Sequence, residues 1–269
     1  MTRNASDPRL TVLGSGTSTG VPMIGCTCSV CRSSNPRNKR LRASVWIEWQ
    51  GKSILVDTST DFRQQALREQ IPRIDAVLFT HPHADHIHGI DDLRAYNFKQ
   101  QASIPAYGHE WTCSELRAKF PYVFSGAISE GGGLPQIDLH EFDPHVPEIQ
   151  VAGLPVIPLF LEHGSKHSVG YRFDSIAYVT DCSYIPKESL DRMRGLSVLV
   201  LDCVRHAPHR THFHLDQAIK TIEELKPQRT YLTHLNDEFD DEVWHQKWKE
   251  KLPHGVSLAY DGLKIQSEG

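Results

Sequence analysis

Apolar runs of strand length recur along the chain, and each is stopped by glycine, proline or a polar cluster. The first third carries LTVLGSG near Leu10, ASVWIEW near Ala43, SILVDT at Ser53 and DAVLFTH at Asp75. Further runs are LPVIPLFLEH around Val156, SIAYVTD ending at Asp181, LSVLVLDC ending at Cys203, RTYLTH ending at His234, and SLAYDGLKI near the end of the chain. Their length and their β-branched and aromatic content predict strands. Between them lie IHGIDDLRAY after His86, TCSELRAKF after Trp111, IPKESLDRMRG before Val198, LDQAIKTIEELKP after His214, and DDEVWHQKWKEKL, all expected as helices. In the fourth, Ala218, Ile219, Ile222 and Leu225 recur at helical spacing, and Pro227 stands just beyond as a stop. Strands interleaved with helices define a mixed α/β architecture.

The only linker-like stretch is SGAISEGGGLPQ, whose three glycines from Gly131 suit a mobile surface loop. With no internal repeat and no second linker, residues 1–269 read as one domain, long enough to bury a sizeable core. Charge adds an exclusion. The 29 Lys and Arg against 33 Asp and Glu leave a formal net charge of −4, so no global field draws the chain to nucleic acid or to an anionic membrane, and an anionic substrate must be held locally. The N-terminal MTRNASDPRL lacks an apolar core, and no run approaches the roughly 18 apolar residues of a membrane span. A soluble, cytoplasmic chain is expected. Among the six cysteines, Cys113, Cys182 and Cys203 are scattered, whereas Cys26, Cys28 and Cys31 are packed together, which suits reduced thiols and metal binding better than a disulfide scaffold.

The chemistry gathers where the strands end. His81, His163, Asp181 and His234 each directly follow an apolar run, at positions where loops collect into a site even when they are far apart in sequence. The first of these opens HPHADH, residues 81–86. Pro82 keeps the segment extended, so that His81 and His83 alternate onto one ion while Asp85 and His86 face another. Imidazole mixed with carboxylate suits zinc, manganese and iron alike. The segment RHAPHRTHFHLDQAI from Arg205 adds four histidines able to give up a proton near neutral pH. Arg205, Arg210 and Lys166 are candidate phosphate contacts. GCTCSVC places three thiolates in C-x-C-x2-C spacing, a framework for structural zinc that a fourth ligand would close. GSGTSTGVP misses the glycine spacing of both nucleotide-binding loops and is expected instead as a tight turn close to the metal pocket.

Taken together, GSGTSTGVPMIGCTCSVC, LFTHPHADH, YVTDCS, THFHLD and YLTH resemble the metallo-β-lactamase superfamily of binuclear metallohydrolases. Within it they are similar to the PhnP-like cyclic-phosphate phosphodiesterases and, more distantly, to ribonuclease Z, from Leu10 to Ile265. The resemblance implies a four-layer αβ/βα sandwich with a binuclear site at the edge of two facing sheets. It assigns His81, His83 and His163 to a first metal and Asp85, His86 and His234 to a second, with Asp181 bridging. It also implies that Asp57 supports the site from behind the ligands, and that His212 is the general acid, with His214 its nearest rival. In the PhnP-like proteins the cysteine zinc takes a histidine three residues after the last active-site histidine; that position here is Asp237. The implied reaction is hydrolysis of a small or cyclic phosphodiester by attack on phosphorus of a hydroxide bridging the two metals, with Asp85, Asp181 and His212 as the catalytic set. An RNA-processing nuclease and a lactonase or thioesterase on the same metals are the rivals. The expected partner is a small phosphodiester; no membrane is involved, nucleic acid is disfavoured for want of a basic arm, and a homodimer stays open.

Overall fold

The computed structural model describes residues 7–125, 133–248 and 252–267. Its strands are β1 (Arg9–Gly14), β2 (Ser44–Trp49), β3 (Lys52–Val56), β4 (Ala76–Leu78), β5 (Ile104–Gly108), β6 (Ile137–Glu141), β7 (Ile149–Val151), β8 (Leu154–His163), β9 (Lys166–Phe173), β10 (Ile176–Val179), β11 (Val198–Asp202), β12 (Arg229–Thr233), β13 (Val256–Leu258) and β14 (Lys264–Gln266). Among the described residues they form two seven-stranded sheets, in the orders β14-β1-β2-β3-β4-β5-β6 and β13-β12-β11-β10-β9-β8-β7.

Side-chain parity stacks the layers. In β11, Val198 and Val200 enter a cluster between the sheets with Leu10, Val12, Ile54 and Val56, while Leu199 and Leu201 point the other way. There they meet Ala218, Ile222 and Leu225 of the helix Leu215–Leu225. In β3, Leu55 likewise turns outward to Phe62, Leu93 and Leu116 on the helical side of the first sheet. Three apolar clusters therefore separate helix, sheet, sheet and helix, the expected four-layer sandwich. β11 reads as an unbroken apolar run because it pairs in parallel with β10 and β12 and both its faces are covered.

The helix Leu215–Leu225 begins at His214, which shares a capping box with Gln217, and ends at Lys226 in the left-handed region just before Pro227. The expected C-terminal helix is present as Asp241–Trp248. Within SGAISEGGGLPQ, residues 126–132 lie outside the described residues. Two differences from the sequence reading have local causes. SLAYDGLKI is two strands in different sheets, because Asp261 turns inward to bond Ser15 and Leu41 and Gly262 takes a φ of 87°. β5 and β6 escaped notice because Pro105 interrupts one and the other, IDLHE, is half polar. No helix among the described residues is long and apolar enough to cross a membrane.

What this topology does for the site is align strand ends. β10, β11 and β12 are parallel, so the residues that follow them emerge side by side, as ligand-binding residues do at the carboxyl ends of such strands. The second sheet reaches the end of β4 through the Val169 amide, which bonds the Thr80 carbonyl at 2.9 Å, one residue before His81.

Candidate active site

Two donor sets converge at this edge. His81 Nε2 lies 2.9 Å from His83 Nδ1, which in turn lies 3.3 Å from His163 Nε2, and Asp181 Oδ2 is 3.5 Å from His81 Nε2. In the second set, His86 Nε2 is 3.3 Å from Asp85 Oδ2 and 3.4 Å from Asp181 Oδ2, and His234 Nε2 is 3.6 Å and 3.4 Å from the same two oxygens. One oxygen of Asp181 thus belongs to both sets. Ligand atoms about 3.3 Å apart are what a tetrahedral ion with bonds near 2.05 Å requires. His86 Nε2 and both ring nitrogens of His234 are buried with no hydrogen-bond partner, a costly state for polar atoms that a cation relieves. The residues present therefore fit two cations.

The outer ring nitrogens are fixed by the scaffold. Asp57 Oδ2 sits 2.7 Å from His86 Nδ1, Thr80 Oγ1 lies 3.0 Å from His81 Nδ1, and the Thr211 carbonyl lies 2.7 Å from His163 Nδ1. Each contact sets the tautomer and leaves Nε2 for the centre. Asp57 also accepts from the Thr80 amide and hydroxyl at 2.8 Å each, so its carboxylate is held where the sequence reading expected it, behind the ligands. Both Asp57 and His234 adopt φ near 60°, a conformation seldom found outside glycine and stored here at two strand ends. His163 reaches the centre from the tight turn between β8 and β9, where Gly164 takes a φ of 64°. HPHADH contributes His81 and His83 to one donor set and Asp85 and His86 to the other, and after the extended His81–His83 the chain enters a short helix, Ala84–Ile87, whose first turn presents Asp85 and His86.

Electrostatics matches the geometry. Burial together with the neighbouring His86 pushes His81 well below its ordinary range, and burial lowers His83 and His163, which keeps their lone pairs available. Burial opposes charge on Asp181, yet the histidines around it, His234 and His86 foremost, hold its carboxyl well below the usual range. His86 is raised because Asp181, Asp85 and Asp57 together outweigh its burial, the signature of a place built for positive charge.

A cavity of about 240 Å³ opens on the two sets, lined also by Ser18, Ser165, Lys166, Thr211 and His212. His212 Nδ1 bonds Asp202 Oδ2 at 3.1 Å, and the ring stacks on His234 with centroids 4.7 Å apart. Burial disfavours its cation, but Asp202 and Asp181 more than offset this and raise it to about 9. The rival His214 caps its helix, with Nδ1 2.5 Å from Gln217 Oε1, and does not line the cavity. Asp202 was missed in the sequence although it follows VLVL as Asp181 follows IAYVT; the strand-end signal was there to be read. Of the three candidate phosphate contacts only Lys166 lines the cavity. Arg205 turns its guanidinium to the Ala207 and Pro208 carbonyls of its own loop, and Arg210 lies outside the lining.

The cysteines form a second centre nearby. Asp237 Oδ2 lies 3.3 Å from Cys26 Sγ, 3.2 Å from Cys28 Sγ and 3.8 Å from Cys31 Sγ, so one oxygen faces three sulfurs. Such distances suit the edges of a zinc tetrahedron with bonds near 2.3 Å to sulfur and 2.1 Å to oxygen. The Cys31 amide points at Cys28 Sγ from 3.4 Å and the Cys28 amide at Cys26 Sγ from 3.5 Å, which draws the three sulfurs together. The glycine loop, as expected, is a close backbone approach: a Cβ on Gly14 would fall 2.0 Å from the Arg42 carbonyl. Leu235, next to His234, bonds Ser15 through its amide and Thr17 through its carbonyl, so the loop is tied beside the last ligand.

A sandwich with paired histidine and aspartate clusters at its edge is the architecture of a metallohydrolase class, and residues 52–235 match the family described as the beta-lactamase superfamily domain. The chain belongs to that superfamily. Within it, the chain is similar to a new diphosphatase from the PhnP family, known from its crystal structure: 44% identity, 96% of each chain covered, TM-score 0.86. Among curated relatives, octanoyltransferase of Porphyromonas gingivalis is 38% identical over 95% of this chain and 51% of its own length, so the chain spans about half of that relative. Ribonuclease Z of Methanopyrus kandleri is 24% identical over 86% of this chain and 93% of that protein.

Proposed function

We propose that the chain is a metal-dependent phosphodiesterase acting on a small substrate. The observation that carries this reading is the meeting of two donor sets on one oxygen of Asp181, with His212 on the wall of the same cavity. His81, His83, His163 and Asp181 would hold one divalent ion and Asp85, His86, Asp181 and His234 a second, and such a pair would supply the charge that acidifies water and neutralises the oxygens of a displacement at phosphorus. Zinc, manganese and iron all suit these donors. The chain's own residues do the rest. Asp57, Thr80 and the Thr211 carbonyl keep the ligand rings from turning. His212, steadied by Asp202, keeps a proton at neutral pH and delivers it to the leaving oxygen. Lys166 lies on the cavity wall as a point charge for a phosphate oxygen. Cys26, Cys28, Cys31 and Asp237 hold a third ion, a structural zinc.

A diphosphate linkage is the second reading, favoured by similarity to the PhnP-family diphosphatase. The test is a screen of metal-loaded protein across bis-p-nitrophenyl phosphate, 2′,3′-cyclic nucleotides, cyclic ribose phosphates, dinucleoside diphosphates, a tRNA precursor and a lactone. Turnover of the small phosphorus esters, abolished by chelation and by Asp181→Asn, is expected. Turnover confined to the tRNA precursor, or to the lactone, would replace the reading with a nuclease or a carbonyl hydrolase.

A further inference from the structure

The ligating rings of His81, His86 and His163 each rest their outer nitrogen on an acceptor: Thr80 Oγ1, Asp57 Oδ2 and the Thr211 carbonyl. The ring of His234 is held differently. It lies between two others, with centroids 4.7 Å from His212 at 15° and 5.9 Å from His86 at 16°. Stacking of this kind fixes the plane of a ring but not which way round it lies, because both flips show the same faces; only a partner at a ring nitrogen tells them apart. A flip would put Cε1 where Nε2 faces Asp85 and Asp181. A cation at the second set meets Nε2, while Nδ1 on the other side of the ring is buried with no hydrogen-bond partner. Facing Nδ1 at 3.8 Å is Asp202 Oδ1, itself buried with no hydrogen-bond partner.

We propose that Asp202 is the positioning residue of His234, taking Nδ1–H on Oδ1 while Oδ2 holds the ring of His212, so that one carboxylate sets both the last metal ligand and the acid. The proposal rests on the metal sets of the reading above and not on its substrate. Oδ2 is already engaged, since it accepts the Cys182 amide at 2.9 Å and bonds His212 Nδ1 at 3.1 Å. An ionised carboxylate has about four lone-pair positions, enough for a third donor at Oδ1. At 3.8 Å the pair is longer than a hydrogen bond of about 2.9 Å; a turn of the His234 ring within its own plane closes it, and both stacks permit that turn. The frame around the carboxylate is firm. Asp202 is fully buried at the end of β11, in register with Thr233 of β12, and the Cys203 amide bonds the Thr233 carbonyl at 2.9 Å. In the other sheet Asp57, fully buried after β3, stands behind His86 in the same way. Each sheet thus keeps one buried carboxylate behind a ligand of the second set, and such outer partners orient a ligating ring and strengthen its hold on the ion. The competing use of the same atoms is a cation held directly among Asp181, Asp202, His212 and His234.

The experiment titrates zinc-loaded wild type, Asp202→Asn and His212→Phe with a competing chelator, and follows the Nδ1 proton of His234 by NMR in protein labelled with ¹⁵N-histidine. In Asp202→Asn one active-site zinc per chain is expected to weaken by about 10–100-fold while the other active-site zinc and the cysteine zinc hold. His212→Phe keeps a ring against His234 and leaves zinc affinity near the wild-type value. In the zinc-loaded wild type the His234 Nδ1 proton exchanges slowly with water and is shifted downfield by the carboxylate, a signature that Asp202→Asn removes. The wild-type spectrum decides the matter even where the variant fails to fold. Unchanged zinc affinity in Asp202→Asn, or a freely exchanging His234 Nδ1 proton in the wild type, overturns the positioning role and leaves the phosphodiesterase reading standing. An equal loss of affinity in His212→Phe overturns it too, because Asp202 would then act only through the acid's ring. So does an additional zinc in the wild type that Asp202→Asn loses, which would give these atoms to a cation. Weakened zinc in Asp202→Asn, with no ester turned over by the wild type, would support the positioning role while the phosphodiesterase reading fell.

Discussion

Asp202 holds His212 through a 3.1 Å contact to Nδ1, and the same carboxylate oxygen is pinned by the Cys182 amide at 2.9 Å. The imidazole is thereby fixed in orientation, with Nε2 left for a substrate. His212→Gln is expected to lower kcat/KM by about 10²–10⁴-fold for an ester with an alkoxide leaving group. The loss should be far smaller for bis-p-nitrophenyl phosphate, whose leaving phenolate needs no proton. Equal losses on the two, at unchanged metal content, would remove His212 from the role of acid.

The pH dependence follows from the same pair. An acid works while protonated, so activity should fall as pH rises through the His212 value, which the neighbouring Asp202 raises. Asp202→Asn withdraws that charge. The alkaline limb of the kcat/KM profile should then move to lower pH; a limb that stays in place counts against the pairing.

Asp57→Asn tests the support behind His86. Asparagine tolerates the left-handed backbone seen at this position, where φ is 64°, so the change keeps the backbone while removing the charge and turning one of the two accepting oxygens into a donor. Metal affinity at the second set is expected to fall by about 10–100-fold, read by titration with a competing chelator. An unchanged affinity would make Asp57 only a strand-end residue.

Cys28→Ser should remove one zinc per chain without emptying the active site. A structural ion present at about a thousandfold over its Kd contributes about 4 kcal/mol, which for a chain of this size corresponds to roughly 8–16 °C in Tm. Metal counting and a melting curve check both numbers. An unchanged zinc content would sink the third site.

Much of this site is legible in the sequence because its ligands stand directly after apolar strands: His81, His163, Asp181 and His234 announce themselves by what precedes them. Asp57 and Asp202 share that position, yet their partners, His86 and His212, lie 29 and 10 residues away and cannot be paired without coordinates. That His214 is engaged at a helix start while His212 faces the cavity is local geometry that the four-histidine segment does not reveal.

Each donor set draws half its members from either side of the sandwich. His81 and His83, like Asp85 and His86, follow β4 of the first sheet, whereas His163, Asp181 and His234 end strands of the second. Neither sheet alone offers a cation more than two of its four ligands. A metal ion therefore binds only the docked arrangement, and by mass action it favours that arrangement over any state in which the sheets have parted. The ions proposed to serve the chemistry would also be rivets across the edge where the two sheets meet.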